Sequence, residues 1–391
     1  MLDILAIFSW LIAIPPTSLL LVFALEVWLG IWRTKPVDIR EALPSTCVLI
    51  PAHNEASIIV GTLEHLKPSL SARTKALVVA DNCTDETASL ARQHGFEVIE
   101  RFDAQAKGKG FALAFGREHL RSSPPECVIV MDADCRTDAR SIAELARFSC
   151  SVRSAVQASY VFEPDPHASS KVQISNFALW IKNVVRQRGG RRAGGGAILT
   201  GTGMAFPWEL FERMPLATEN IVEDLSLTVD LARSGAAPLF LEQAQVVSAA
   251  ASEVATIGQR SRWEQGFLAV AASHALPLLK YGLTGLDRKA MLLALHLLVP
   301  PLTLLLATSS LMIALLAGVS TFTGVWYPFA LLSGAFLVAL GGILINWGLE
   351  GHLWLTSRSL ATLPLYFLWK LPVYAGLLAG KRVGWVRTGR D

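Results

Sequence analysis

From Leu5 to Leu25 the chain carries no charged residue, a run long enough for a helix to cross the roughly 30 Å hydrocarbon core of a bilayer. Trp28, Trp32, Arg33, Lys35 and Arg40 follow it, the aromatic and basic flank of a membrane interface. No small-residue cleavage site interrupts the run, so it reads as an uncleaved anchor rather than a signal peptide. Met291–Ala317 and Trp326–Trp347 are equally bare of charge and predict two further spans. The last apolar segment, Leu360 to Gly380, has Arg358 before it, Lys381 and Arg382 after it, and Lys370, Pro364 and Pro372 inside. It reads as an interfacial or re-entrant helix, with a further crossing as the alternative. Lysines and arginines after the first span and at Arg288 and Lys289 flank the polar middle of the chain, so the positive-inside rule places that middle in the cytoplasm and the amino terminus outside. The expected organisation is an anchor over 1–32, a cytoplasmic domain over 45–270 and a membrane region over 290–391. The expected location is the inner (plasma) membrane, with several passes.

Composition narrows the class further. Of 391 residues, 52% are hydrophobic and only 17% charged, against about 25% charged in an average soluble domain. That excludes a disordered, collagen-like or ordinary cytosolic chain. A net charge of +3 with scattered arginines gives no basis for a nucleic-acid partner. The five cysteines have no CxxC spacing and read as buried thiols of a reducing compartment, not as a disulfide framework or zinc site.

Between about 45 and 250, short β-branched runs alternate with amphipathic segments. Thr46–Ile50, Ala76–Ala80, Glu97–Ile99 and Val128–Met131 predict strands; Ile58–Leu66, Glu86–His94 and Gly110–Leu120 predict helices. This alternation predicts an α/β domain with a parallel sheet that binds ligands beyond the carboxyl ends of its strands. Polar motifs fall at those ends: Pro51-Ala-His-Asn-Glu55, Asp81-Asn-Cys-Thr-Asp85 and Asp132-Ala-Asp134. Asp132 and Asp134 repel each other unless a cation lies between them, and oxygen donors suit Mg²⁺ or Mn²⁺; a turn or a solvated pair is the plain alternative. Glu223 and Asp224 open a helical stretch. They read either as helix capping or as the source of a general base, Asp224, for an acceptor hydroxyl. Gln259, Arg262 and Trp263 could be an interfacial cluster, or could neutralise a diphosphate through Arg262 and stack Trp263 on a sugar. The Arg188–Gly196 run, rich in glycine and arginine, reads as a mobile basic loop, with an inert linker as the alternative.

Taken together and in order, these motifs resemble those of the processive-type, membrane-bound family 2 glycosyltransferases, the group of cellulose, chitin, hyaluronan and poly-N-acetylglucosamine synthases. The matching pieces are Pro51 to Glu55, Asp81, Lys107-Gly-Lys109, Asp132-Ala-Asp134, Gly201-Thr-Gly203, Glu223-Asp224 and the QxxRW-like Gln259, Arg262 and Trp263. The resemblance covers roughly residues 45 to 270 and implies a GT-A (Rossmann-like, nucleotide-sugar-binding) catalytic fold with an α-helical transmembrane region. It also implies a nucleotide-diphosphate sugar donor, expected to be a UDP-sugar, a Mg²⁺ or Mn²⁺ ion, and inversion at the anomeric carbon. By the same resemblance, Pro51, Glu55, Asp81, Lys109, Asp132 and Arg262 would line the donor site and Asp134 would hold the metal. Gly203, Glu223, Gln259 and Trp263 would serve the acceptor, and Asp224 would be the base. His53 stands where the family often has another aromatic or polar residue.

The expected function is transfer to a growing polysaccharide or other glycan at the membrane, with lipids and polysaccharide-export components as neighbours. The alternative is transfer of one sugar to a lipid, as in ceramide glucosyltransferase-like enzymes. A non-enzymatic scaffold or transporter component fits less well, because such a chain would place ionisable groups inside its spans.

Overall fold

In the computed structural model, residues 2–218, 222–249, 253–363, 365, 366 and 370 are described. The chain forms two compact units. Among the described residues, one comprises 2–33, 164–195 and 271–370; the other comprises 34–163 and 196–270.

The second unit is built on an eight-stranded sheet. Its strands are β1 (Thr46–Ala52), β2 (Thr74–Asp81), β3 (Glu97–Arg101), β4 (Cys127–Val130), β5 (Cys135–Arg136), β6 (Val156–Phe162), β7 (Met204–Pro207) and β8 (Leu239–Ser248). The order across the sheet is β3-β2-β1-β4-β7-β6-β8-β5. The first four are parallel, as the alternating pattern predicts. The other half departs from the expected all-parallel sheet: β7 runs antiparallel to β4 and β6, and β5 antiparallel to β8. Pairing of this kind joins segments far apart in sequence and leaves little local trace. β1 and β4 are buried almost throughout, which is why they read as unbroken apolar runs rather than alternating ones. Leu49, Val79, Val130 and Phe206 of the sheet form one core with Leu113 of the helix Lys109–Leu120 and Leu227 and Leu231 of the helix Glu223–Arg233.

From β1 the chain first builds outward to β3 and then returns to place β4 on β1's other side. Such a reversal opens a crevice beyond the carboxyl ends of the strands, and the polar motifs sit there.

The first unit is helical. Helix Leu2–Leu29 lies against helix Tyr327–Leu349, where Trp28 Nε1 donates to the Val338 carbonyl at 2.9 Å and Asn346 Nδ2 to the Val27 carbonyl at 3.1 Å. Among the described residues, four helices are long and apolar enough to cross a membrane: Leu5–Leu29, Gly258–Thr284, Leu302–Thr323 and Tyr327–Leu349. The predicted span Met291–Ala317 is divided. Helix Arg288–Leu298 stops at Val299, and a new helix starts at Leu302 after Pro300 and Pro301, because a proline cannot donate into the helix and restricts the residue before it. Gly258–Thr284 escaped the sequence reading, since Arg260, Arg262, Glu264 and Lys280 interrupt its apolar content. Most of the Leu360–Gly380 segment lies outside the described residues.

The Arg188–Gly196 run is not a loop over its first half. Arg186–Arg192 is helical, preceded by a π-helical turn at Ile181–Val185, and Arg186, Gln187 and Arg188 are buried. Its first glycine has a packing reason: a Cβ on Gly189 would collide with the backbone of Glu26. The arginines are used at the ends of other helices. Arg186 pairs with Glu26 at 2.5 Å and Arg188 with Glu350 at 3.0 Å, while Arg192 donates to the Leu29 carbonyl at 2.6 Å. Here glycine and arginine signal a tight helix crossing, a composition that in isolation looks like a flexible linker.

Candidate active site

Lys109 stands at the centre of the polar cluster in the second unit. Gly108, at φ +127°, and Gly110, where a Cβ would run into the Leu216 carbonyl, let the helix Lys109–Leu120 begin hard against its neighbour. Lys109 Nζ forms an ion pair with Asp132 Oδ1 and donates to the Gly201 carbonyl at 2.7 Å. Gly201, at φ +83°, has no side chain to intervene: a Cβ there would lie 3.4 Å from both Lys109 Nζ and Asp224 Oδ2. Segments from β4, the 199–203 loop and the helix Glu223–Arg233 thus bring Lys109, Asp132 and Asp224 to one place. Burial opposes the charge on Lys109, yet Asp132, Glu223 and Asp224 hold its pKa above that of an ordinary lysine.

The loop itself is fixed by buried polar groups. Gln157 donates to the Thr202 carbonyl and accepts from the Thr200 amide, Thr202 Oγ1 accepts from the Asp132 amide, and Thr228 Oγ1 accepts from the Leu199 amide while donating to the Asp224 carbonyl. Gly203, at φ +65°, donates to the Val130 carbonyl. Any Cβ on it would come within 2.8 Å of Val246 Cγ2, so packing beneath the site accounts for this glycine.

Burial, and next the adjacent Asp224 carboxylate, raise the pKa of Glu223 to about 8 against the pull of Lys109. At neutral pH these surroundings favour the protonated form of Glu223. The folded pKa exceeds the unfolded value near 4.5, so this group's stabilising contribution is complete below about pH 4.5 and is lost as pH rises through about 8. Glu223→Gln, which mimics the protonated form, should keep turnover within about three-fold of the parent at pH 7 and flatten the dependence of melting temperature on pH across that window. A loss as large as that of an Asp224 variant would mean that Glu223 acts ionised.

Asp132, Asp134 and Cys135 offer ligand atoms within 4.8 Å of one another. Asp134 accepts from Ser248 Oγ at 3.2 Å and from the Cys135 thiol at 3.4 Å. Burial keeps that thiol protonated, well above its ordinary pKa. Oxygen is thus the available donor, and two carboxylates at a strand end fit a hard divalent cation such as Mg²⁺ or Mn²⁺.

The strand ends on the other side of β1 enclose a cavity of about 480 Å³, lined by His53, Asn54, Asp81, Asn82, Phe102 and Lys107 among others. The Pro51 to Glu55 motif forms one wall. Pro51 pairs with Val79 inside the sheet, Asn54 takes φ 55° so that its Oδ1 caps the amides of Thr84 and Asp85, and the Glu55 amide donates to Thr87 Oγ1 at 2.8 Å. Asp81 is buried, with Arg101 Nη1 at 2.6 Å from its Oδ1. The sequence reading passed over Arg101 and Phe102; the only signal for the arginine is its register opposite Asp81 in the β2–β3 pair.

Gln259, Arg262 and Trp263 lie, half-buried, on the helix Glu253–Thr284. The motif also omitted Arg260, which is buried with its guanidinium 4.2 Å from the centre of Phe162 and 4.7 Å from that of Trp263. Phe162 in turn meets Tyr160, whose phenol is raised in pKa by burial and then by Cys135 and Asp134. Trp263 and Arg260 are thereby linked through β6 to the carboxylate cluster.

A family model described as "Glycosyl transferase family group 2" matches residues 127–370. The chain belongs to that family. The low-salt glycan biosynthesis hexosyltransferase Agl6 of Haloferax volcanii is 32% identical to this family member over 104 residues, 26% of this chain and 24% of that protein. The chain thus spans about a quarter of the length of the curated relative it matches. Among solved structures, the mannosyltransferase PcManGT from Pyrobaculum calidifontis, in complex with GDP-Man and Mn²⁺, aligns over 90% of this chain and 100% of its own, with TM-score 0.51 and 19% identity. Glucosyl-3-phosphoglycerate synthase from Mycobacterium tuberculosis aligns over 59% of this chain and 86% of its own, with TM-score 0.40 and 20% identity. The first of these likenesses establishes a GT-A-type fold.

Proposed function

We propose that this family 2 member moves a sugar, with inversion, from a nucleotide-diphosphate sugar to a glycan acceptor at the cytoplasmic face of a membrane. The observation that carries the reading is the convergence at Gly201, where Asp224 Oδ2 and the Lys109–Asp132 pair meet. Transfer with inversion is a single displacement: the acceptor oxygen bonds to the anomeric carbon, the bond to the diphosphate breaks, and the acceptor proton leaves. Asp224 takes that proton as a general base. Lys109 holds Asp132 in place and adds positive charge where the nucleotide's phosphates would lie. Asp81 and its cavity receive the nucleoside, while Trp263 offers an aromatic face of the kind that stacks on sugar rings. Asp132 and Asp134 would hold a divalent ion, which supplies charge neutralisation for the departing diphosphate. The mannosyltransferase with a similar fold holds GDP-Man and Mn²⁺, which agrees with such a donor and ion.

A second reading, transfer of one sugar to a lipid, is favoured by the small apolar region, four candidate spans among the described residues. Product mass decides between them. Incubation with nucleotide sugar and a lipid extract should yield a ladder of products differing by one sugar residue. One discrete glycolipid, with no ladder at any donor excess, would replace the polymer reading with the lipid one.

A further inference from the structure

Helix Ala139–Val152 packs against β4, and its last turn carries Cys150 beside the first residue of that strand, Cys127. Cys150 Sγ donates to the Glu126 carbonyl at 3.6 Å, an oxygen one peptide bond from Cys127, and the two thiols are hydrogen-bonded to each other. Both are free thiols; Cys127 is fully buried and Cys150 half-buried, so solvent reaches the pair from the Cys150 side. The strand end is fixed, with the Cys127 amide on the Ser45 carbonyl and the Trp208 amide on the Glu126 carbonyl, each at 3.0 Å. The helix end is looser. Cys150 lies in the turn closed by Arg153 at φ 50°, where backbone carbonyls lack intrahelical partners. Of the five cysteines, Cys150 is the one whose thiol pKa is lowered, by the hydrogen bond from Cys127 and against burial, Glu126 and Glu41. Burial raises those of Cys47, Cys83 and Cys135, and the bond to Cys150, then burial, raises that of Cys127. The thiolate is the nucleophilic form of cysteine, and the accessible member of the pair is the one poised to supply it.

We propose that Cys127 and Cys150 are a peroxide-reactive dithiol, oxidised to an intrachain disulfide that ties the helix Ala139–Val152 to the start of β4. The Cys150 thiolate attacks the terminal oxygen of a hydroperoxide; the O–O bond breaks, the other oxygen leaves as hydroxide or alkoxide and is protonated by solvent, and Cys150 becomes a sulfenic acid. The Cys127 sulfur then attacks the Cys150 sulfur. An S–S bond forms, the S–O bond breaks, and the hydroxyl departs with the Cys127 proton as water. In sum the two thiols lose two electrons and two protons, and the hydroperoxide is reduced to water and an alcohol, or to two waters. A low-potential dithiol reverses the bond by exchange, as suits a reversible disulfide in a reducing compartment. Asp132 and Asp134 lie between the two cysteines in sequence, so the bond closes the segment that bears them into a ring. The chemistry is independent of the sugar transfer proposed above.

The test is exposure of the purified, reduced full-length protein to hydrogen peroxide, followed by alkylation in denaturant and peptide mapping without reductant. A peptide linking Cys127 to Cys150 should accumulate and disappear on adding dithiothreitol, while Cys47, Cys83 and Cys135 remain open to alkylation. The other half-buried cysteine, Cys83, is the internal control, and Cys150 should react at least about ten-fold faster. Cys127→Ala should stop the reaction at a Cys150 sulfenic acid, captured by dimedone; Cys150→Ser should yield neither that adduct nor the linked peptide. The oxidised parent should melt roughly 5 °C or more above the reduced one. Oxidation of Cys83 ahead of Cys150, or a Cys150 sulfenic acid in the parent that persists without pairing, overturns the proposal. So does a linked peptide joining any other two cysteines, or a melting temperature that oxidation leaves in place.

Discussion

Asp224→Asn should lower turnover by roughly 10² or more while nucleotide affinity stays close to that of the parent. The amide retains the size of the carboxylate and its bond to the Leu225 amide, in which Asp224 Oδ1 accepts at 2.8 Å, but it cannot take a proton from an attacking hydroxyl. Helix capping, the competing account, predicts something different. An asparagine caps about as well as an aspartate, so a capping role would leave turnover nearly untouched and show at most a small change in stability. Turnover by diphosphate release and nucleotide affinity by calorimetry separate the two. Near-parental turnover would return Asp224 to a structural role, and loss of nucleotide binding would make it a donor ligand instead of a base.

The largest stability effect is expected far from this chemistry. In the helical unit Glu26 accepts from Arg186 Nε at 2.5 Å and faces His296 Nδ1 at 2.8 Å; all three are buried, and Arg186 Nη2 also donates to the His296 carbonyl. Removing one partner strands a buried charge, at a cost of about 3–5 kcal/mol, so Glu26→Leu should reduce the melting temperature by roughly 10 °C. Replacing the pair together, Glu26→Leu with Arg186→Met, should recover most of that loss, because paired burial is nearly neutral against apolar packing. The exposed Arg40–Asp38 pair is the control, and its removal should change little. A Glu26→Leu protein that melts with the parent would show that the cluster does not hold these helices together.

In the parallel half of the sheet, β1, β2 and β4 were legible because each is a short apolar run that ends in a polar motif. The expected Thr46–Ile50 and Ala76–Ala80 became Thr46–Ala52 and Thr74–Asp81, extended by residues whose pairing adds no local pattern. The same local logic placed Asp81, Asp132 and Asp134 at strand ends. Four features were not legible, each because its cause lies elsewhere in the chain. The antiparallel β7 pairs across long sequence separations. The helix at Arg186–Arg192 is made by partners such as Glu26 and Glu350, which give buried arginines a place to be. Arg101 matters only because strand register sets it opposite Asp81, and Arg260 only because Phe162 and Trp263 enclose it. The break at Val299, by contrast, was written in Pro300 and Pro301 and was obscured by the surrounding hydrophobicity.

The most direct test of the central claim is release of nucleoside diphosphate by the purified protein from a panel of UDP- and GDP-sugars, with Mn²⁺ and a lipid extract. The account predicts release matched by a new glycosylated product, abolished by a chelator and restored by added Mn²⁺ or Mg²⁺. Absence of release from every donor in the presence of metal and acceptor, or full release by Asp134→Ala in excess chelator, would contradict it.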